Sequence, residues 1–161
     1  MERNFRIYSG KAIYIGGVAD LRDLCDIAKG DGHIISKDAF KKLLFLQENN
    51  YVLKNRQKVI LTFISVKELG FEFGANLNDI YEEAFKLGMS PCPEQTAINM
   101  CFQRQPYVRV FYATEMRNNQ FVNLFFVRKP SKRARIHSIL LKTDKILGPD
   151  TKVCFQSPEK I

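Results

Sequence analysis

The stretch from Lys58 to Lys67 is the most regular apolar segment of the chain. Between these two lysines, residues 59–66 are almost wholly apolar and rich in β-branched and aromatic side chains. A short run of this composition, closed by charge at both ends, is typical of a strand buried on both faces. We therefore predict a central strand here, around which the rest of the chain is arranged.

A helix with clear boundaries follows this strand. Asn76 is a good N-cap, and Asp79 lies three residues later, near the positive end of the helix. Gly88 suits the position just after the last turn. The apolar face at helical spacing consists of Leu77, Ile80, Tyr81 and Ala84. The pattern predicts a helix over about 76–87 that packs on a sheet.

Residues 58–106 contain a series of short motifs in a fixed order. The motifs are Glu68-Leu69-Gly70-Phe71, Gly74-Ala75, Asp79-Ile80, Ala84, Leu87-Gly88, Cys92-Pro93 and Gln105-Pro106. With these motifs the stretch resembles a recurrent segment of an uncharacterised bacterial protein family. After Cys92-Pro93 the chain departs from the family's pattern. The resemblance implies a strand–turn–helix unit and carries no activity with it.

Two shorter helices are predicted before the central strand. Asp20 and Ser36 are N-cap residues, and each precedes apolar side chains at helical spacing. Two short helices joined by a glycine turn also suggest a DNA-binding helix-turn-helix. The connection between them is longer than the three or four residues of that motif. We therefore predict that the two helices form an all-helical cap packed on the sheet, within a helical N-terminal part over residues 1–54, in which residues 5–15 form a hairpin or a loop with a short strand.

Strand patterns dominate the second half of the chain. The candidate strands are 98–103, 107–113, 121–127, 135–142 and 151–156. Short polar turns separate several of them, as in an antiparallel meander. The whole pattern predicts an α+β fold with an antiparallel sheet of four to six strands, a packed helix and an N-terminal helical part. A length of 161 residues favours a single domain, with 1–54 and 58–161 as its two parts.

Charge is distributed unevenly along the chain. The net charge is +8, and residues 101–142 contain nine basic side chains and one acid, so this segment accounts for all of it. Such an asymmetry attracts negatively charged partners over long range. The positive charge is densest within residues 128–135, around a predicted turn.

This turn supplies the candidate partner-binding residues. They are Arg128, Lys129, Lys132, Arg133 and Arg135, with Arg104, Arg109 and Arg117 as extensions. Clustered cations bind phosphate oxygens with release of counterions, and aromatic side chains nearby offer faces for stacking bases. An acidic protein surface, a nucleic acid, an anionic lipid and plain solvation of a charged tip all fit this pattern.

The thiols indicate no metal site. None of the four cysteines forms a C-x-x-C pair, and the two histidines lie apart from them. Buried free thiols in a reducing compartment are favoured. Cys92, between two prolines, with His137 as its base is the candidate pair for nucleophilic catalysis. We predict no cofactor.

The remaining signals concern location. No apolar run reaches the ~20 residues needed to cross a bilayer, and the first residues lack the apolar core of a signal peptide. We therefore expect a cytoplasmic protein, with export by a system that is independent of a signal peptide as the alternative. The sequence favours a small non-catalytic bacterial accessory or interaction protein that binds a polyanionic or acidic macromolecular partner. Nucleic-acid binding is one alternative, and an enzyme with a site around Cys92 and His137 is the other.

Overall fold

Strands and helices alternate along the first two thirds of the chain. The computed structural model describes residues 11–17, 20–49, 55–93, 95–102, 110–113, 121–128 and 132–157. Its strands are β1 (Lys11–Ile15), β2 (Ile34–Ile35), β3 (Gln57–Ser65), β4 (Ala75–Asn76), β5 (Ser90–Pro91), β6 (Val110–Ala113), β7 (Phe121–Arg128), β8 (Arg135–Lys142), β9 (Ile146–Leu147) and β10 (Lys152–Gln156). Its helices are α1 (Leu21–Gly30), α2 (Lys37–Glu48), α3 (Leu77–Lys86) and α4 (Thr96–Asn99), which continues into a 3₁₀ turn (Met100–Phe102).

The main sheet has the strand order β1-β3-β10-β6-β7-β8-β2, and β5 pairs with β10. Most neighbours are antiparallel, but β10 is parallel to β6 and β2 is parallel to β8. Strands β4 and β9 form a separate antiparallel pair. The predicted α+β class with a helix packed on the sheet is confirmed. The sheet is larger than the four to six strands expected, because the short strands β1, β2 and β5 also join it.

The three predicted helix starts are confirmed by their caps. The Asp20 carboxylate accepts a hydrogen bond from the Arg22 amide at 2.8 Å. The Ser36 hydroxyl accepts one from the Ala39 amide at 3.1 Å. The Asn76 side chain accepts one from the Asp79 amide at 2.9 Å. Each cap satisfies an amide that the first helical turn leaves without an intrahelical partner.

One predicted strand is wrong. Residues 98–102 are helical, and Gln103, the last residue of that prediction, lies outside the described residues. The Pro93 carbonyl accepts hydrogen bonds from both the amide and the hydroxyl of Thr96, which starts the helix. The buried side chains follow helical rather than alternating spacing, namely Ala97, Ile98, Met100 and Cys101. Short apolar runs do not distinguish the two structures by pattern alone.

The N-terminal part contains the two predicted helices, and the short strand considered for residues 5–15 forms as β1; the cap is not all-helical, because β2 lies between its helices. Strand β1 pairs with β3 over five residues, and β2 pairs with β8. The connection between α1 and α2 contains β2, so these helices do not form a helix-turn-helix. Hydrogen bonding along a sheet edge satisfies the backbone of this connection and fixes the position of both helices.

The two faces of the sheet bury two separate cores. Along β3, Val59 and Leu61 belong to the first core, which α1, α2 and α4 cover. Ile64 belongs to the second core, which α3 covers. Side chains alternate along a strand, so a strand buried on both faces contributes to both cores. The prediction for residues 59–66 is thus confirmed.

Gly74 provides a test of how β4 and β9 pack. Its φ is +98°, and a Cβ at this position would collide with the carbonyl oxygen of Leu147. We expect Gly74→Ala to lower the free energy of unfolding by about 2 kcal/mol or more, because both strain and collision act. Urea denaturation followed by circular dichroism measures this loss.

Gly30→Ala is the matched control. Gly30 is the last residue of α1, and a Cβ there would meet nothing within 4 Å. We expect it to be neutral or to stabilise by up to about 1 kcal/mol, since alanine favours the helix. Equal effects of the two substitutions would contradict the assigned packing of Gly74.

Candidate interaction surface

Two arginines face each other at one end of the β7–β8 ladder. Arg128 and Arg135 are direct partners in the antiparallel register, and both side chains are exposed. Like charges in direct cross-strand opposition destabilise a sheet. The ion pairs recorded between described residues involve other cations, namely Lys67, Lys86 and Lys152. This end of the sheet therefore concentrates positive charge at a cost to folding.

The register also determines which face these arginines occupy. Leu124 lies four residues before Arg128 on the same face, and it is buried in the second core beneath α3. The next pair on that face is Phe126 with His137. His137 is exposed and Phe126 is half-buried. Helix α3 thus covers one part of the face, and an aromatic and basic part lies beyond it.

The segment that joins β7 to β8 is anchored at the end next to β8. The Ala134 amide donates a hydrogen bond to Nδ1 of His33 at 2.8 Å, and the Ile34 amide donates to the Ala134 carbonyl at 2.9 Å. Both His33 and Ala134 are buried. The segment next to β8 is therefore held on the α1–β2 connection at Ala134.

Arg133 lies directly over this connection. A Cβ added to Gly32 would come within 2.9 Å of the Arg133 Nε, and Gly32 has a φ of +87°. Glycine thus gives both the backbone conformation and the room for the guanidinium. The sequence marked this turn only as a connection between helices. In the sequence, Gly32 was a hint that another segment packs closely against this turn, but it does not identify that segment.

We call the exposed cations Arg128, Lys132, Arg133 and Arg135 the basic end of the sheet. These are four of the eight residues predicted to bind a partner. The other four, Lys129, Arg104, Arg109 and Arg117, lie outside the described residues. The structure thus brings together the described half of the predicted set on one end of β7 and β8.

The structure does not bring Cys92 and His137 together. Cys92 is buried in the first core, and its Sγ lies 3.4 Å from the Sγ of Cys154. His137 lies on the opposite face of the sheet, where it is exposed. Burial and the neighbouring Cys92 raise the pKa of the Cys154 thiol well above its usual value. This arrangement suits packing rather than a nucleophile paired with a base.

All four cysteines are free and buried, as predicted. Burial raises the pKa of the Cys25 thiol to about 11, which keeps it protonated at neutral pH. Within the described ranges, no three His, Cys, Asp or Glu side chains are grouped so that they could hold a metal ion. Asp20 serves as a helix cap, and its hydrogen bonds to the Arg22 amide and to Gln47 lower its pKa.

Comparison of the chain with protein-family models, with curated proteins and with solved structures finds no match. The resemblance of residues 58–106 to a bacterial family therefore stays a prediction. In the part of the chain that the structure describes, no helix has the length and apolar character needed to cross a membrane.

Substitution of His33 tests whether its hydrogen bond holds the segment before β8 on the α1–β2 connection. We expect His33→Phe to lower the free energy of unfolding by about 1–3 kcal/mol, because the ring is kept while the buried Ala134 amide loses its acceptor. Urea denaturation measures the loss. His137→Phe is the control, since exposed His137 should tolerate the same change within about 0.5 kcal/mol. Equal losses in both variants would refute this role of His33.

Proposed function

We propose that this protein is a small non-catalytic interaction protein that binds a polyanionic or acidic macromolecular partner through the basic end of its sheet. The observation that carries the proposal is the direct opposition of Arg128 and Arg135 on an exposed face. Two like charges at this spacing cost folding energy. A negative partner that binds both would offset that cost.

The position of Lys132 and Arg133 supports the same proposal. Both are exposed, and the backbone next to them is tied to β2 and His33. Cations on an anchored backbone lose less conformational freedom on binding than cations on a free loop. The basic end therefore presents part of its charge in a preorganised form.

The positive charge of the basic end defines the partner only as a negatively charged macromolecule. Carboxylates, sulfates and phosphates all satisfy arginine, which binds them in bidentate geometry. The cytoplasmic location and the bacterial origin belong to this proposal as well. The location rests on the free, buried thiols, which suit a reducing compartment, and the origin rests on the resemblance of residues 58–106.

A second candidate, single-stranded nucleic-acid binding, is favoured by one observation. Phe126 and His137 form the pair next to Arg128 and Arg135 on the same face of the sheet. Proteins that bind single strands combine cations for the backbone with aromatic rings on which bases stack. An aromatic and basic sheet face favours this class over a basic turn alone.

An enzyme built on Cys92 and His137 receives no support from this geometry. The two side chains belong to opposite faces of the sheet, and the thiol lies in the first core. A general base must come within hydrogen-bond reach of the group that it activates.

Heparin affinity tests the proposal. One variant replaces the four cations of the basic end by alanine together, namely Arg128, Lys132, Arg133 and Arg135. We expect this variant to bind heparin roughly tenfold or more weakly at low salt, because each cation that binds heparin releases counterions from it. A salt gradient on a heparin column and titration calorimetry both measure the change.

The control changes the same amount of charge elsewhere. Four exposed cations away from the basic end are changed to Ala together: Arg22, Lys37, Lys58 and Lys145. We expect this variant to elute close to the wild type. If both variants elute early to the same extent, only net charge matters and the basic end is not a site.

Phe126 distinguishes the second candidate from the first. We expect Phe126→Leu to weaken binding to an oligo-dT strand by roughly tenfold, the order that stacking on one base contributes, while heparin binding changes less than about twofold. Phe40→Leu is the control, because Phe40 is also half-buried but lies on α2. Fluorescence anisotropy measures both affinities. Unchanged oligo-dT binding by Phe126→Leu would rule out stacking on this face.

A further inference from the structure

The outer edge of β8 is covered over only part of its length. Strand β2 pairs with β8 at Arg135 and Ile136 and then gives way to α2. No other described strand pairs with β8 on that side. The ladder with β7, by contrast, continues to Lys142. Among the described residues, β8 therefore extends past its outer neighbour by more than half its length.

Backbone alternation shows where this edge can bind. The Ile136 carbonyl accepts a hydrogen bond from the Ser36 amide, so the backbone groups of Ile136 point away from β7. Groups that point the same way recur every second residue along a strand. The amide and carbonyl of Leu140 therefore point out along the same edge. A further strand placed there would continue the hydrogen bonding that β2 begins.

An open groove of about 500 Å³ lies beside this part of β8. Its lining residues are Asp38, Lys41, Lys42 and Phe45 from α2 and Ser138 and Leu140 from β8. The exposed fractions of Phe45 and Leu140 are 58% and 65%, which is high for such large apolar side chains. An occupant that carries apolar side chains would remove both from water.

The charge of the groove selects the kind of occupant. Lys41 is exposed, and the Lys42 ammonium lies 4.2 Å from the centroid of the Phe125 ring. The one acid of the lining, Asp38, stands in the first turn of α2, where the helix dipole stabilises its charge. With two lysines and one acid, the lining has a net positive charge, which favours a partner that carries carboxylates.

A second copy of this chain fits the edge poorly. Strand β8 contains Arg135, His137 and Lys142 and no acid. Pairing of two β8 edges would place two positively charged strands side by side with no acid in either strand to compensate, which is unfavourable. An acidic segment avoids this conflict.

We propose that the groove between α2 and β8 binds an extended acidic segment of a partner protein, which adds to the β8 edge as a strand. Its backbone pairs with β8 around Leu140, and its apolar side chains contact Phe45 and Leu140. Its carboxylates meet Lys41 and Lys42. Main-chain hydrogen bonds then supply affinity and the pockets beside the strand supply selectivity. This surface does not depend on the basic end, from which it differs in face and residues.

The first experiment uses a fluorescein-labelled decapeptide with the repeat Val-Thr-Glu-Thr as the probe, because its valines and glutamates then lie on the same face of an extended strand, as Phe45, Leu140 and the lysines of the groove require. We expect it to bind the full chain with a Kd well below about 1 mM, and we expect the Leu140 amide to exchange more slowly with solvent when it is bound. Two further peptides define the mode of binding. One replaces every glutamate by lysine, and the other replaces a central valine by proline, which cannot donate a ladder hydrogen bond. Both should bind at least tenfold more weakly.

Variants of the chain locate the site. Phe45→Ser and Leu140→Ser should each weaken binding of the acidic peptide by roughly tenfold, as expected for losing a buried apolar side chain. Ile27→Ser on α1 and Ile146→Ser on β9 are the controls, because these residues are equally exposed but lie outside the groove. Lys41→Glu should weaken binding several-fold more than Lys37→Glu on the same helix.

The outcomes separate this proposal from the proposed function. The quadruple alanine variant of the basic end should bind the acidic peptide within about threefold of the wild type at physiological salt. No binding of the acidic peptide would overturn the inference, since the lysines would then only protect the edge from pairing. Equal binding of the lysine peptide or the proline peptide would overturn it too. A dimer that Leu140→Ser dissociates would replace the partner by a second copy.

Discussion

The pairing of β10 with β3 is the interaction on which the rest of the structure depends. The two strands form five consecutive register pairs, from Lys152–Ser65 to Gln156–Leu61. Strand β10 also contacts β6 and β5, so it joins segments that lie far apart in the sequence. Its side chains alternate between the cores, with Cys154 in the first and Val153 and Phe155 in the second. Each face must therefore be covered by helices of its own, since apolar area left in water costs about 25 cal/mol per Å².

Helix α3 covers only part of the second face of the sheet, and the exposed basic side chains lie on the uncovered part. Helix α3 buries the apolar side chains near Leu124 and Leu141, while Arg128, Arg135 and His137 lie beyond it on the same face. A charged side chain is tolerated on a sheet only where solvent reaches it. Of the basic segment 101–142, the described residues Arg128, Lys132, Arg133 and Arg135 thus lie together at one end of the sheet.

The short strand and the lysines at the outer edge of β8 have two physical interpretations. Short edge strands and lysines protect natural sheets from uncontrolled pairing, and both β2 and Lys41 fit that role. The same lysines beside exposed Phe45 and Leu140 also make an edge that is selective for an acidic strand. Protection and selectivity are compatible, because a positive charge that repels basic strands attracts an acidic one.

Local chemistry alone determined much of this protein. The caps at Asp20, Ser36 and Asn76 and the doubly buried strand at 59–66 follow from side chains that act on their own backbone or on water, so their pattern is legible in the sequence. The cluster of cations within residues 128–135 was legible for the same reason.

Only the tertiary structure decided which segments meet. The strand predicted for residues 98–103 is helical over 98–102, because burial, not periodicity, defines so short a segment. The contact of His33 with Ala134 and the groove between α2 and β8 join residues about a hundred positions apart. Such contacts depend on the order of strands in the sheet. That order is set by the free energy of packing the whole chain, which no local pattern contains.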